Sequence, residues 1–175
     1  MVKIVNQMDL IEPSSSFIES YRTALAEFEG LGIFGFWKHF GAVDDADAYI
    51  QRIRRYTHRS GISEANIVPA SVYWLVDGAE FIGHVSVRHE LNDELKKRGG
   101  HIGYAIRPTK HGQGYGTQIL RLVLPHARTI GIHNALLTCN SDNVASRKII
   151  ETNGGQLIDE ILVNGKPVLR FEICL

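Results

Sequence analysis

Apolar residues recur at steps of three and four between Phe17 and Phe28, with Phe17, Tyr21, Leu25 and Phe28 on one face. That spacing predicts an amphipathic helix. Ser14 to Ser16 offer its cap and Gly30 its stop. A strand over about 2–11 precedes it. After an aromatic loop, GIFGFWKHFG, a second helix is expected from Asp44 to about His58, with Asp44, Asp45 and Asp47 at its positive end. The period then shortens to two. SVYWLVDGAEFIGHVSVRHEL reads as two strands turning at Asp77-Gly78. A polar connection, NDELKKRGG, leads into the strand HIGYAIRP, which Pro108 ends. A helix over roughly 115–130 follows, then the short buried strand ALLTCN, the helix DNVASRKIIETNGG, and two strands turning at Asn164-Gly165. Strands cluster at both ends with only two helical crossovers between them. The expectation is therefore an α+β domain rather than a doubly wound one.

Composition narrows the function classes. The chain has 175 residues, enough for one domain with a real core, and no linker-like stretch divides it, so 1–175 is read as one domain. Nineteen basic and nineteen acidic residues balance, which argues against general binding to nucleic acid or an anionic membrane surface. The basic run RIRRYTHR reads as a solvated helix face. Cys139 and Cys174 sit in apolar runs without CxxC or CxxH spacing, so neither a disulfide framework nor zinc is expected. The start of the chain lacks a signal-peptide core, and no run is long enough to span a membrane. A cytoplasmic location is expected.

The chemistry concentrates at PTKHGQGYGTQILRLVL. Gly112, Gly114 and Gly116 lie between the end of a strand and the start of a helix. No Lys-Ser/Thr follows them, which excludes a Walker loop. The GxGxG spacing also differs from the dinucleotide fingerprint. What remains is the physics those motifs share, in which backbone N–H groups at a helix N-terminus meet an anion. The helix carries Arg121 and Arg128 and no acid, leaving its positive pole open.

This stretch, from Pro108 to Gly116, resembles the pyrophosphate loop of the GCN5-related N-acetyltransferases (GNAT), whose pattern is Arg/Gln-x-x-Gly-x-Gly/Ala. NVASRKIIETNG, beginning at Asn143, resembles the family's second cofactor segment. The order of elements fits over nearly the whole chain. RHELN and GGHIGYAIRP are most similar to an uncharacterised bacterial branch of the family. The resemblance implies a mixed, mostly antiparallel seven-stranded sheet flanked by about four helices, with strands four and five splayed apart. It implies acetyl-CoA (coenzyme A) as co-substrate and no metal. The pantetheine arm would pair with backbone at Ile106 and Arg107. The N–H groups of His111, Gly112, Gln113, Gly114, Tyr115, Gly116 and Thr117 would hold the pyrophosphate, and Asn143 and Ser146 would meet the cofactor from the last helix. Two departures stand out: His111 occupies the usual Arg/Gln position, and Ile150 replaces a Tyr that serves many members as general acid.

Transfer to an amine requires a neutral nitrogen, a donor for the tetrahedral oxyanion and a proton for the leaving thiolate. His84, His89, Glu90, His101 and Tyr104 are the residues expected near the splay. His101 is the preferred base, since its ordinary pKa lies near neutrality. Glu90 is second, and Tyr104 is a candidate donor to the thiolate. Arg88, Phe34 and Trp37 are expected to shape the acceptor pocket. The expected activity is acetyl transfer to a small-molecule or peptide amine directly from acetyl-CoA, with a non-catalytic acyl-CoA sensor as the alternative. The resemblance also raises the expectation of a homodimer.

Overall fold

A computed structural model describes residues 8–32, 43–58 and 67–175. The elements follow the order β1 (Met8–Ile11), α1 (Ile18–Gly30), α2 (Ala46–Arg55), β2 (Ala70–Asp77), β3 (Glu80–Arg88), α3 (Asp93–Lys97) and β4 (Ile102–Ile106). Then come α4 (Tyr115–Thr129), β5 (Asn134–Asn140), α5 (Val144–Thr152), β6 (Gln156–Val163) and β7 (Lys166–Cys174). The order matches the periodicity except at α3. That short helix forms inside the polar connection because the Asn92 side chain accepts from the Leu95 N–H and caps it. The expected loop with Phe34 and Trp37 lies outside the described residues.

The seven strands form two sheets, ordered β1-β2-β3-β4 and β5-β7-β6, and every ladder is antiparallel. Both hairpins turn where Asp-Gly and Asn-Gly predicted, with Gly78, Asn164 and Gly165 at positive φ. One face of the first sheet packs against α1 and α2. There Tyr21 stacks on Trp74 with ring centroids 4.6 Å apart, and its hydroxyl lies 2.6 Å from that of Tyr49. The other face shares a core with α4. Val85, Ile102 and Ile106 from one sheet and Leu137, Phe171 and Ile173 from the other meet Ile119, Leu120 and Val123. The α4 helix therefore joins the two sheets into one hydrophobic unit.

Between the sheets, β4 and β5 form no ladder. They are pinned at one end only. The His101 N–H donates to the Leu136 carbonyl at 2.7 Å, and the Leu136 N–H donates to His101 Nδ1 at 2.9 Å. Gly100 makes this approach possible. Its φ is +63°, and a Cβ there would lie 2.2 Å from the Leu136 carbonyl oxygen. Beyond the pin the strands separate.

Candidate active site

The glycine loop leaves a cluster of donors open. Gly114 caps α4 in the left-handed conformation, φ +84°, and no side chain covers the helix start. The Thr117 and Gln118 N–H groups return to the Gly114 carbonyl, and the His111 N–H is used by Pro108. The N–H groups of Gly112, Gln113, Gly114, Tyr115 and Gly116 make no hydrogen bond among the described residues. Five donors at a helix N-terminus, with no acid in the first turn, suit a polyanion. Of the seven residues expected to bind through backbone N–H groups, the outer two have theirs occupied internally. Gly116 has a second use: a Cβ there would lie 2.5 Å from Ile149 Cδ1, so its small size lets α4 approach α5.

Side chains around this loop are mostly committed elsewhere. His111 Nε2 lies 2.8 Å from the Ile106 carbonyl oxygen, and Lys110 pairs with Glu80 at 2.6 Å. Arg107 corrects the expectation most. Its guanidinium is buried and pairs with Glu27 at 2.7 Å, fixing the end of β4 to α1. Burial pushes the Glu27 carboxyl up, but hydrogen bonds from Arg107 and Thr109 outweigh it and hold the group below its ordinary range. The Arg107 N–H is taken as well, by the Ile82 carbonyl at 2.8 Å.

That last bond sets the phase of β4. Arg107 and His101 bond to β3, as does every second residue of an antiparallel pair. The backbone groups of Tyr104 and Ile106 therefore face the gap beside β5. The Ile106 carbonyl receives the His111 ring, which leaves its N–H directed into the gap.

A cavity of about 290 Å³ occupies this gap. It is lined by Arg88 and Arg98, by Gly99, Ile102, Gly103 and Tyr104, by Thr138, Cys139 and Asn140, and by Asn143 and Ser146. It reaches both faces of the sheet. Tyr104 packs with the core under α4, and its hydroxyl lies 3.1 Å from Ser146 Oγ on α5. Gly103 points the other way, where a Cβ would lie 3.4 Å from Arg88 Nη2, on the face that α1 and α2 cover. Burial pushes the Tyr104 phenol up to about 12, so it stays protonated and able to donate. Asn143 caps α5 by accepting the Ser146 N–H at 3.0 Å, which leaves its amide nitrogen available at the cavity wall.

His101 is not built as a base. A neutral imidazole has one free lone pair, and in His101 it accepts the Leu136 N–H. Protonation at Nδ1 would break the pin between β4 and β5. Burial, then the nearby Arg88 cation, lowers its pKa and keeps it neutral. Glu90 is exposed in the bend after β3 and does not line the cavity. Of the three expected catalytic residues, the structure brings only Tyr104 into the gap. His89 bonds Ser71 at 2.8 Å, outside it, and His84 is fully buried with its pKa lowered to about 4 by burial.

Residues 25–156 match the model of the acetyltransferase (GNAT) domain. The chain belongs to the GNAT acetyltransferase family. These are acetyl-CoA-dependent N-acetyltransferases, and acetyl-CoA is their co-substrate. No curated protein matches the sequence significantly. Solved GNAT structures share the fold at low identity. RimL, a ribosomal L7/L12 α-N-protein acetyltransferase in complex with coenzyme A, aligns at a TM-score of 0.66 and 18% identity, covering 99% of this chain and 97% of its own. An acetyltransferase from Salmonella typhimurium that modifies the N-terminal serine of the same ribosomal protein aligns at 0.64 and 17%, covering 99% and 98%. The microcin C7 self-immunity acetyltransferase MccE, in complex with acetyl-CoA and AMP, aligns at 0.68 and 16%, covering 99% and 96%.

Within this GNAT frame the sequence reading missed Arg98, Thr138 and Asn140. A signal for two of them existed: polar residues alternate with buried ones along LLTCN, which turns Thr138 and Asn140 to the opposite face from Leu137 and Cys139. Among the described residues no cluster of three or more His, Cys, Asp or Glu could hold a metal, and no helix is long and apolar enough to cross a membrane.

Proposed function

We propose that this GNAT chain transfers the acetyl group of acetyl-CoA directly to a primary amine held with it in a ternary complex. The observation that carries this reading is the cavity in the β4–β5 gap, which extends from Asn143 and Ser146 on α5 past Tyr104 to Arg88 on the opposite face, with the open loop amides lying beyond the end of β4. The loop amides of Gly112 to Gly116 bind the pyrophosphate, and Tyr104 and Ile106 supply backbone to the pantetheine arm. The amine nitrogen attacks the thioester carbon and forms the new C–N bond. The Tyr104 N–H, which also faces the gap and leaves the Tyr104 carbonyl for the pantetheine, stabilises the oxyanion. As the C–S bond breaks, the Tyr104 hydroxyl gives its proton to the sulfur, and Ser146 relays a replacement from solvent.

Two features favour direct transfer. Burial raises the Cys139 pKa, so the one thiol in the cavity wall is a poor nucleophile for an acyl-enzyme. No Asp, Glu or His lines the cavity among the described residues. The ammonium proton therefore leaves to water, and the reaction favours amines that are partly neutral near pH 7. Thiol release from acetyl-CoA across a panel of amines tests the reading. Coenzyme A binding without thiol release for any amine would replace it with a non-catalytic acyl-CoA sensor.

A further inference from the structure

On the face of the gap away from α4, Arg88 carries a charge with no counter-charge among the described residues. Its Nη1 donates to the Gly100 carbonyl at 2.9 Å and to the Gly99 carbonyl at 3.3 Å. Its Nε and Nη2 make no hydrogen bond, and no carboxylate pairs with it among the described residues. Burial disfavours the cation and pushes its pKa down. A guanidinium removed from bulk water without a counter-charge is costly, and proteins ordinarily pair such groups. Arg107, which is the more deeply buried of the two, has Glu27 at 2.7 Å.

The surroundings add a second cation and no anion. Arg98 lines the same cavity, and the remaining lining residues are neutral. Gly103 matters here because a side chain would fill the space directly in front of Nη2. The Arg88 end is also remote from the glycine loop. Arg88 lies beside His101, before β4 begins, whereas the loop follows Ile106. Five strand residues separate those ends by roughly 16 Å. The two arginines are thus not part of the pyrophosphate grip.

We infer that the missing counter-charge arrives with the acceptor: the amine acetylated by this chain carries an anionic group, a carboxylate or a phosphate, that docks on Arg88 with help from Arg98. The inference rests on the transfer reading above. A planar guanidinium with two free donor positions suits either oxyanion.

The test compares acceptors in pairs by thiol release from acetyl-CoA, with each rate divided by the acceptor's neutral-amine fraction: amino acids against their carboxamides, peptides with Asp or Glu near the N-terminus against Asn or Gln, and phosphoethanolamine against ethanolamine. At least one anionic member should exceed its neutral partner about ten- to hundredfold in kcat/KM, the range of a charged hydrogen bond. The pair showing it distinguishes carboxylate from phosphate. Arg88→Gln should collapse that ratio toward one, by a larger loss of kcat/KM with the anionic member than with the neutral member of the pair. Arg98→Gln, at an exposed position, should reduce the ratio partially and covers the case in which loss of the Gly99 and Gly100 contacts prevents folding. Equal rates for every pair, or a ratio untouched in both variants, would overturn the inference and leave the transfer reading standing. No thiol release with any amine would overturn both.

Discussion

The phenol of Tyr104 on β4 and the hydroxyl of Ser146 on α5 lie 3.1 Å apart across the gap between the two sheets. In the mechanism proposed above, this contact takes the role that Ile150 cannot. Ile150, at the position where many GNAT members carry a Tyr, is buried in the core. Burial raises the Tyr104 pKa to about 12, so the phenol stays protonated and can donate a hydrogen bond to the leaving sulfur. Tyr104→Phe should lower kcat by about 10²-fold, within the range of general acid catalysis, with little change in the KM for acetyl-CoA. Ser146→Ala, which removes the relay but leaves the phenol, should cost less. Steady-state kinetics decide it, and a Tyr104→Phe enzyme with unchanged kcat would remove Tyr104 from the chemistry.

Because no carboxylate or imidazole lines the cavity among the described residues, the amine's own pKa should govern the rate. At pH 7.4 a peptide α-amine is neutral to about 30%, and a lysine side chain to about 0.1%, from their ordinary pKa values. An α-amine should therefore exceed a matched lysine ε-amine by roughly 10²-fold in kcat/KM, and the pH profile should shift with the pKa of the acceptor. A profile that keeps one fixed inflection for amines of different pKa would instead reveal a protein base.

The glycine loop can be tested without disturbing the core. Nothing lies within 4 Å of a Cβ built at Gly114, so Gly114→Ala meets no steric clash. It does force a left-handed conformation on alanine, at a cost of about 1–2 kcal/mol. Gly114→Glu adds a negative charge beside the five open amides. The glutamate variant should raise the KM for acetyl-CoA at least tenfold beyond the alanine variant, whereas both should lose similar thermal stability. Equal KM values in the two variants would mean that the loop does not meet the cofactor's phosphates.

What the sequence revealed follows from how local each signal is. The Asp77-Gly78 and Asn164-Gly165 turns and the α4 mouth depend on neighbours a few residues away, and each is readable from the chain. The roles of His101 and Arg107 are not. His101 is defined by Leu136, 35 residues on, and Arg107 by Glu27, 80 residues back. Residue type suggested reactivity for His101, and position at the end of β4 suggested a cofactor contact for Arg107, while a distant partner had already taken the lone pair or the charge. Arg88 shows the reverse. Its type was visible, but the absence of a counter-charge emerges only once the fold sets its neighbours.

Two histidines should make stability depend on pH between neutrality and mild acid. Burial holds His84 neutral and lowers its pKa to about 4, and burial together with Arg88 lowers that of His101. The unfolded chain protonates both near their ordinary value of about 6.5. Below that pH the unfolded state binds protons that the fold refuses, so stability is fully present above about 6.5 and is lost as pH falls toward 4. His84 alone accounts for on the order of 3 kcal/mol across the window. By pH 5 about 2 kcal/mol of that should be gone. Denaturant titrations at pH 7 and pH 5 measure the difference directly, and in His84→Gln it should shrink by about that amount. If the variant proves too unstable, the imidazole resonances of the intact protein report the same quantity. A His84 that titrates near 6.5 in the folded state would remove it as the source.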